Sequence, residues 1–255
     1  MSICHEVGEF IAIESARFDR ANIEKKMGFN NLVSYVDKQS EKMLVTELSR
    51  ILPGSGFIGE EGTDIVSGNG YRWIIDPLDG TTNFTHQFPL FAISIGLAKE
   101  DKMVLGVVFE VNKKEMFHAY EGSPAYLNNQ EIRVSVVASL QDSLLATGFP
   151  YYQFDKMDAY LRIIQNFLRT SHGLRRMGSA ATDLAYVACG RFEGFFEYDL
   201  NPWDVAAGTF LVQQAGGIVT DFKGQNNFLF GREVCAACAI QPEMVQMIQK
   251  EWDAN

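Results

Sequence analysis

Three short segments bring carboxylates to places where they can act together. The first is Trp73-Ile-Ile-Asp76-Pro-Leu-Asp79-Gly-Thr-Thr-Asn-Phe84. Its apolar start reads as a buried strand ending at Asp76, because Pro77 cannot donate to a sheet ladder. Asp79 then falls where a helix N-cap is expected, and Gly80, Thr81 and Thr82 open a helical turn whose backbone N–H groups attract phosphate oxygens. Two carboxylates three residues apart on a tight turn repel each other unless a cation sits between them. Hard oxygen ligands of this kind suit Mg²⁺ far better than zinc.

Taken singly, each segment has an ordinary explanation. A bare D-x-x-D arises about once by chance in a chain of this length, and Asp79 by itself is a cap. Gly59-Glu60-Glu61-Gly62 by itself is a solvated turn, and Asp204 in Asn201-Pro-Trp-Asp204 is the acidic residue of a helix start. Three acidic clusters, each at a strand end or a helix start, are harder to dismiss together. The other metal-binding residue types offer no rival. His5, His86, His118 and His172 match no ligand spacing and take surface or structural roles. Cys235-Ala-Ala-Cys238 has no second pair and lies in an apolar run from Val234 to Ile240, so a buried strand is expected there.

The elements that must carry these segments follow from periodicity. Ile3, Val7, Phe10, Ile11 and Phe18 have helical spacing and predict a helix over residues 3–26. Ser34–Leu52 predicts a second, stopped by Pro53-Gly54. Residues 57–59 and 73–75 read as buried strands delivering acidic side chains at their C-terminal ends. Residues 91–98, 103–111 and 115–119 predict an antiparallel meander, and Asn128-Asn129 a further hairpin turn. Helices are expected at 155–170, 179–189, 203–215 and 242–252, and strands at 193–197, 217–221 and 234–240. Early and late helices around a central mixed sheet give a layered α/β fold. The chain is expected to form one domain over residues 1–255, with helices and meander to about 145 and an α/β part beyond.

Composition allows this. Hydrophobic residues make up 47% and charged residues 21%, enough to fill a core. The formal net charge of −10 repels nucleic acid and anionic membranes, so neither is an expected partner. It also means that a phosphorylated substrate needs a bound cation to reverse the local field. Glu6 and Glu9 stand where a signal peptide needs basic residues, and no apolar run approaches ~18 residues. A cytoplasmic protein with reduced thiols is expected.

IGEEG, WIIDPLDGTTNF and NPWDVAAG, in that order, resemble the three signature motifs of the inositol monophosphatase family, Mg²⁺-dependent and lithium-sensitive phosphatases. NLVSYVDKQSEKML and RRMGSAATDLAYVACGRFEGFFE extend the resemblance over nearly the whole chain. One departure is Glu121–Asn128, where such proteins carry a run of glycines before the aromatic residue. The resemblance implies that Glu60, Asp76 and the carbonyl of Leu78 hold one Mg²⁺, with Thr81 nearby. Asp76, Asp79 and Asp204 hold a second. Asp37 and Glu61 lie in the outer shell, able to steer a weaker third ion. It further implies that the N–H groups of Gly80, Thr81 and Thr82 cradle the phosphate, and that Ala180, Glu197, Asp79 and Asp204 meet the sugar-alcohol hydroxyls. Glu60 and Thr81 would orient a metal-activated water for in-line attack, with Asp76 bridging the ions. The implied activity is hydrolysis of myo-inositol monophosphate to inositol and phosphate by a homodimer. Hydrolysis of fructose 1,6-bisphosphate or another sugar or nucleotide phosphate is the alternative on the same fold. An alternative of another class is a partner-binding protein of the transcription machinery.

Overall fold

A computed structural model describes residues 1–17, 23–25 and 32–253. In chain order the elements are α1 (Ser2–Arg17), β1 (Ile23–Lys25), β2 (Leu32–Ser34), α2 (Tyr35–Ile51), β3 (Gly56–Gly59), β4 (Asp64–Ile65), β5 (Tyr71–Asp79), α3 (Thr81–Thr85), β6 (Ala92–Lys99), β7 (Lys102–Glu110) and β8 (Glu115–Tyr120). They continue with β9 (Ala125–Leu127), β10 (Gln130–Ile132), β11 (Leu144–Thr147), α4 (Met157–Thr170), β12 (Gly173–Arg175), α5 (Ala180–Ala188), β13 (Gly194–Tyr198), α6 (Pro202–Gln214), β14 (Ile218–Thr220), β15 (Glu233–Ala237) and α7 (Gln241–Trp252).

The layered α/β architecture expected from the sequence is present, with two main sheets in place of a single central one. An eight-stranded sheet runs β10-β9-β8-β7-β6-β5-β3-β4, and a five-stranded sheet runs β12-β11-β13-β15-β14. Helices α1 and α2 cover one face of the large sheet, where Val7, Ile11 and Leu44 meet Phe57, Trp73 and Ile93. Helices α5 and α6 fill the space between the sheets, where Leu184, Val205 and Leu211 meet Val108 and Phe117 on one side and Phe195 and Ala236 on the other. Helices α4 and α7 close the outer face of the small sheet through Tyr160, Phe167, Met244 and Trp252 around Phe196 and Cys235. Five alternating layers result. Because both faces of β5 are covered, its central residues Trp73–Leu78 are continuously apolar or buried rather than alternating. Each fully buried aromatic or aliphatic side chain contributes about 1.5–3 kcal/mol of transfer free energy.

The meander is as expected, with β6, β7 and β8 pairing antiparallel in sequence order. The Asn128-Asn129 turn also forms, with φ of 47° and 67°, the left-handed pair a tight hairpin requires. Two expectations are corrected and two strands are added. The first helix ends at Arg17, and 23–25 is a strand paired antiparallel to 32–34; Phe18 of the expected helix lies outside the described residues. The strand through Asp76 does not end there. Pro77 and Leu78 are passed over as a bulge, and the ladder resumes with Asp79 opposite Ala92. Strands β11 and β12 were not expected at all. Among the described residues no helix is long and apolar enough to cross a membrane.

Candidate active site

Strand register gathers the acidic residues. Strands β3 and β5 are parallel, with Gly59 opposite Ile75. The next residues, Glu60 and Asp76, therefore emerge side by side at the same sheet end, and the Glu60 N–H donates to Ile75 O at 3.3 Å. On the other side of β5, Asp76 pairs with Ser94 of β6. The Ser94 hydroxyl donates to the carbonyl of Trp203 at 3.1 Å and so pins the start of α6, with Asp204, above the same point. Gly96 and Gly106 let α6 lie close on the sheet: a Cβ at Gly106 would stand 2.7 Å from Ala207 O.

Asp79 is not the cap of α3. That role falls to Gly80, whose φ of 100° is left-handed and whose missing Cβ would lie 3.2 Å from Leu90 O. Because Asp79 stays in the ladder, its carboxylate turns instead to the start of α5. There it accepts from Ser179 Oγ at 2.6 Å and from the Ala181 N–H at 2.7 Å. Ser179 is the N-cap of α5, so Asp79 ties the large sheet to that helix. Asn83 makes a second tie, its Nδ2 donating to Leu90 O at 2.8 Å and Met177 O at 2.9 Å.

These groups line one cleft of about 630 Å³. Glu60, Asp76, Leu78, Asp79, Gly80, Thr81, Thr82, Ala180, Glu197 and Asp204 all stand in its wall. Asp37 and Glu61 do not. Asp37 is buried behind Thr81, whose Oγ1 is 3.4 Å from its Oδ1, and Glu61 faces a separate depression with Lys38 and Lys42. Thr81 Oγ1 also lies 3.1 Å from Leu78 O. Its proton is thus directed to these acceptors, leaving lone pairs toward the cleft.

The electrostatics are those of crowded anions. Burial, then the charges of Glu60, Asp79 and Asp204, hold the Asp76 carboxyl well above its usual range. Burial and Asp79 push Asp204 up to about 8, although the Asn201 N–H donates to it at 2.7 Å. Burial pushes Asp79 up to about 6 against its hydrogen bonds from Ser179 and Ala181, and burial pushes Glu197 up to about 8 against the pull of Arg176. Among the described residues no three His, Cys, Asp or Glu side chains are already drawn into a cage around an ion. Asp79 and Asp204 have turned to backbone and hydroxyl donors instead. The donor set is all oxygen and mutually repelling, which fits a hard cation such as Mg²⁺.

Several residues of the cleft escaped the sequence reading. Arg176 faces Glu197 and Asp79, with its guanidinium 5.2 Å from the Phe149 ring and 4.9 Å from the Tyr151 ring. Its signal was a basic residue inside the RRMGSAATDL block. Arg232 also lines the cleft but is bound to Asp199 and to Asn201 Oδ1. Gly148 had no signal, because β11 before it was not anticipated; a Cβ there would lie 2.1 Å from the Glu197 carboxylate.

The result is a five-layer α/β fold with an acidic cleft at the ends of β3 and β5, rich in oxygen donors. The profile of the Inositol monophosphatase family matches residues 1–253, and the chain belongs to that family. It is 43% identical over 227 residues to the Nus factor SuhB of Pseudomonas aeruginosa, covering 87% of this chain and 83% of that protein. It is 39% identical over 247 residues to the inositol-1-monophosphatase of Rhizobium meliloti, covering 96% and 92%. Among solved structures, the extragenic suppressor protein suhB of Bartonella henselae superposes with a TM-score of 0.92 at 37% identity, covering 98% of this chain and 96% of that one.

Proposed function

We propose that the protein is a Mg²⁺-dependent phosphatase that hydrolyses myo-inositol monophosphate. The observation that carries this reading is the in-register pairing of β3 and β5, which sets Glu60 beside Asp76 in the cleft that also holds Asp79 and Asp204. Glu60, Asp76, Asp79, Asp204 and the Leu78 carbonyl would hold two Mg²⁺ ions, with Asp76 shared. Bound Mg²⁺ neutralises a phosphate dianion, lowers the pKa of a water and stabilises the leaving alkoxide. The chain's own part is positioning. Glu60 and the Thr81 hydroxyl hold a water in line with the phosphorus. The first N–H groups of the turn at Gly80–Thr82 have no acceptor within their helix and bind the phosphate oxygens. Glu197, set against Gly148, accepts hydrogen bonds from adjacent hydroxyls of a polyol, with Ala180 beside it.

Two observations support second readings. Arg176 between Phe149 and Tyr151 favours a substrate with a further anionic or aromatic part, such as a sugar bisphosphate or a nucleotide. The relatives named Nus factor SuhB favour a partner in the transcription machinery, so the exclusion of nucleic acid drawn from the net charge is set aside. Phosphate release from a panel of inositol, sugar, nucleotide and aryl phosphates, with and without EDTA, decides the enzymatic reading. Release that is Mg²⁺-dependent and fastest with inositol monophosphate supports it. No release from any monoester, together with co-sedimentation with a purified transcription complex, replaces it.

A further inference from the structure

Helix α2 carries two buried carboxylates one turn apart, Asp37 and Glu41. Like charges at i and i+4 repel, and buried charges demand partners, so both must be engaged. Asp37 lies against Thr81. Glu41, 3% exposed, reaches the turn at 59–63 and accepts its hydrogen bonds there. One carboxylate oxygen accepts the Glu61 N–H at 2.8 Å; the other accepts the Thr63 N–H at 3.2 Å and the Thr63 hydroxyl at 2.6 Å. The turn is closed by the Gly59 N–H donating to Thr63 O at 2.7 Å. Gly59 makes the approach possible, since a Cβ there would lie 2.5 Å from Glu41 Oε2.

We propose that Glu41 is a positioning residue of the metal-binding carboxylates: by holding the 59–63 turn to helix α2, it fixes Glu60 against Asp76. The inference rests on the reading above that these carboxylates bind Mg²⁺. The chemistry needs a carboxylate and not merely a polar group. Both oxygens must accept, so a glutamine in either orientation turns its NH₂ against an N–H donor. The acid thereby links the turn after β3, which carries Glu60, to the helix whose Asp37 stands behind Thr81.

The test uses the full chain with Glu41→Gln and, in case that variant unfolds, Thr63→Val, which removes one hydroxyl bond and keeps both N–H groups. Three readouts are needed: exchange of the Glu61 and Thr63 amides, Mg²⁺ binding to metal-free protein by calorimetry, and kcat against KM for inositol monophosphate. In E41Q both amides should exchange faster. Mg²⁺ affinity should fall about tenfold, the effect expected of a group that orients ligands. KM at saturating Mg²⁺ should stay native. T63V should show the same pattern at about a third of that size in affinity. Native Mg²⁺ affinity in a folded E41Q or in T63V overturns the inference and leaves Glu41 a structural residue only. A native chain that binds Mg²⁺ yet cleaves no monoester overturns the phosphatase reading, while the binding comparison still decides the role of Glu41.

Discussion

At the scale of single residues, Asp79 and Gly148 separate structure from chemistry most sharply. The Asp79 carboxylate accepts two short bonds that hold the start of α5, and Asn can accept both through its amide oxygen. Asp79→Asn should therefore melt in chelator at or slightly above the native temperature, since it also relieves repulsion with Asp204. If Asp79 holds a metal ion, turnover at low Mg²⁺ should drop by roughly 10²-fold or more, as loss of a charged ligand weakens transition-state charge stabilisation. Turnover near the native value would leave Asp79 a helix anchor alone. Gly148→Ala tests Glu197 without altering its charge. The new methyl would overlap a flexible carboxylate end, so the fold should persist while Glu197 is displaced. KM for inositol monophosphate should rise about tenfold, roughly the loss of one charged hydrogen bond, with an aryl phosphate unaffected. Equal losses on both substrates would remove Glu197 from polyol recognition.

At the scale of elements, the parts of the site legible in the sequence are those on one continuous motif. Asp76 sits just before a bulge, Asp79 at a strand end and Asp204 at a helix start, each marked by Pro, Gly or a cap residue. What stayed hidden was relational. Nothing in residues 73–84 says that Asp79 remains paired to β6 and turns to a helix a hundred residues later; only the bulge at Pro77-Leu78 decides it. Strand β11 was missed because three apolar residues and a threonine between Ser143 and Gly148 lack a period of their own, and its burial comes from its sheet neighbours β12 and β13 and from the helices on either face. The helix expected over residues 3–26 stops at Arg17, because beyond Ile11 the apolar spacing rests on Phe18 alone. The bidentate pair between Arg191, just after α5, and Glu115 of β8, at 2.6 Å for both bonds, is likewise invisible in either segment. Hydrogen bonding from Arg191, then its charge, holds the Glu115 carboxyl below its usual range. A depressed acid stabilises the fold above its unfolded pKa and loses that contribution as pH falls through its folded pKa. Glu115→Gln should thus lower Tm at pH 7 by a few degrees, since a half-exposed pair contributes at most about 1 kcal/mol. The gap from the native protein should close as pH drops below about 4. A gap that is unchanged from pH 7 to pH 3 would show that packing of Arg191 on Tyr186, and not the ion pair, holds this junction.

At the scale of the whole molecule, a chain of net charge −10 places Asp76, Asp79, Glu197 and Asp204 in one cleft between its sheets. Each is raised above its usual range chiefly by burial, and Asp76, Glu197 and Asp204 further by anionic neighbours. Such a cleft costs folding free energy until a cation enters, and that cost should be recoverable. A ligand bound only by the native state stabilises it by RT ln(1 + [L]/Kd), about 2.7 kcal/mol at a hundredfold excess over Kd. For a chain of this size that corresponds to a rise in Tm of roughly 5–10 °C. Differential scanning calorimetry in EDTA and then with rising Mg²⁺ should show such a rise, graded with the logarithm of concentration. Because the cleft joins the large sheet to α5 and α6, the whole transition should move and not a minor component of it. Asp204→Asn should melt higher than the native protein in EDTA and gain less from Mg²⁺. If Mg²⁺ moves neither protein beyond the effect of matched ionic strength, the carboxylates are not a metal centre, and the cleft must be stabilised by a cationic partner instead.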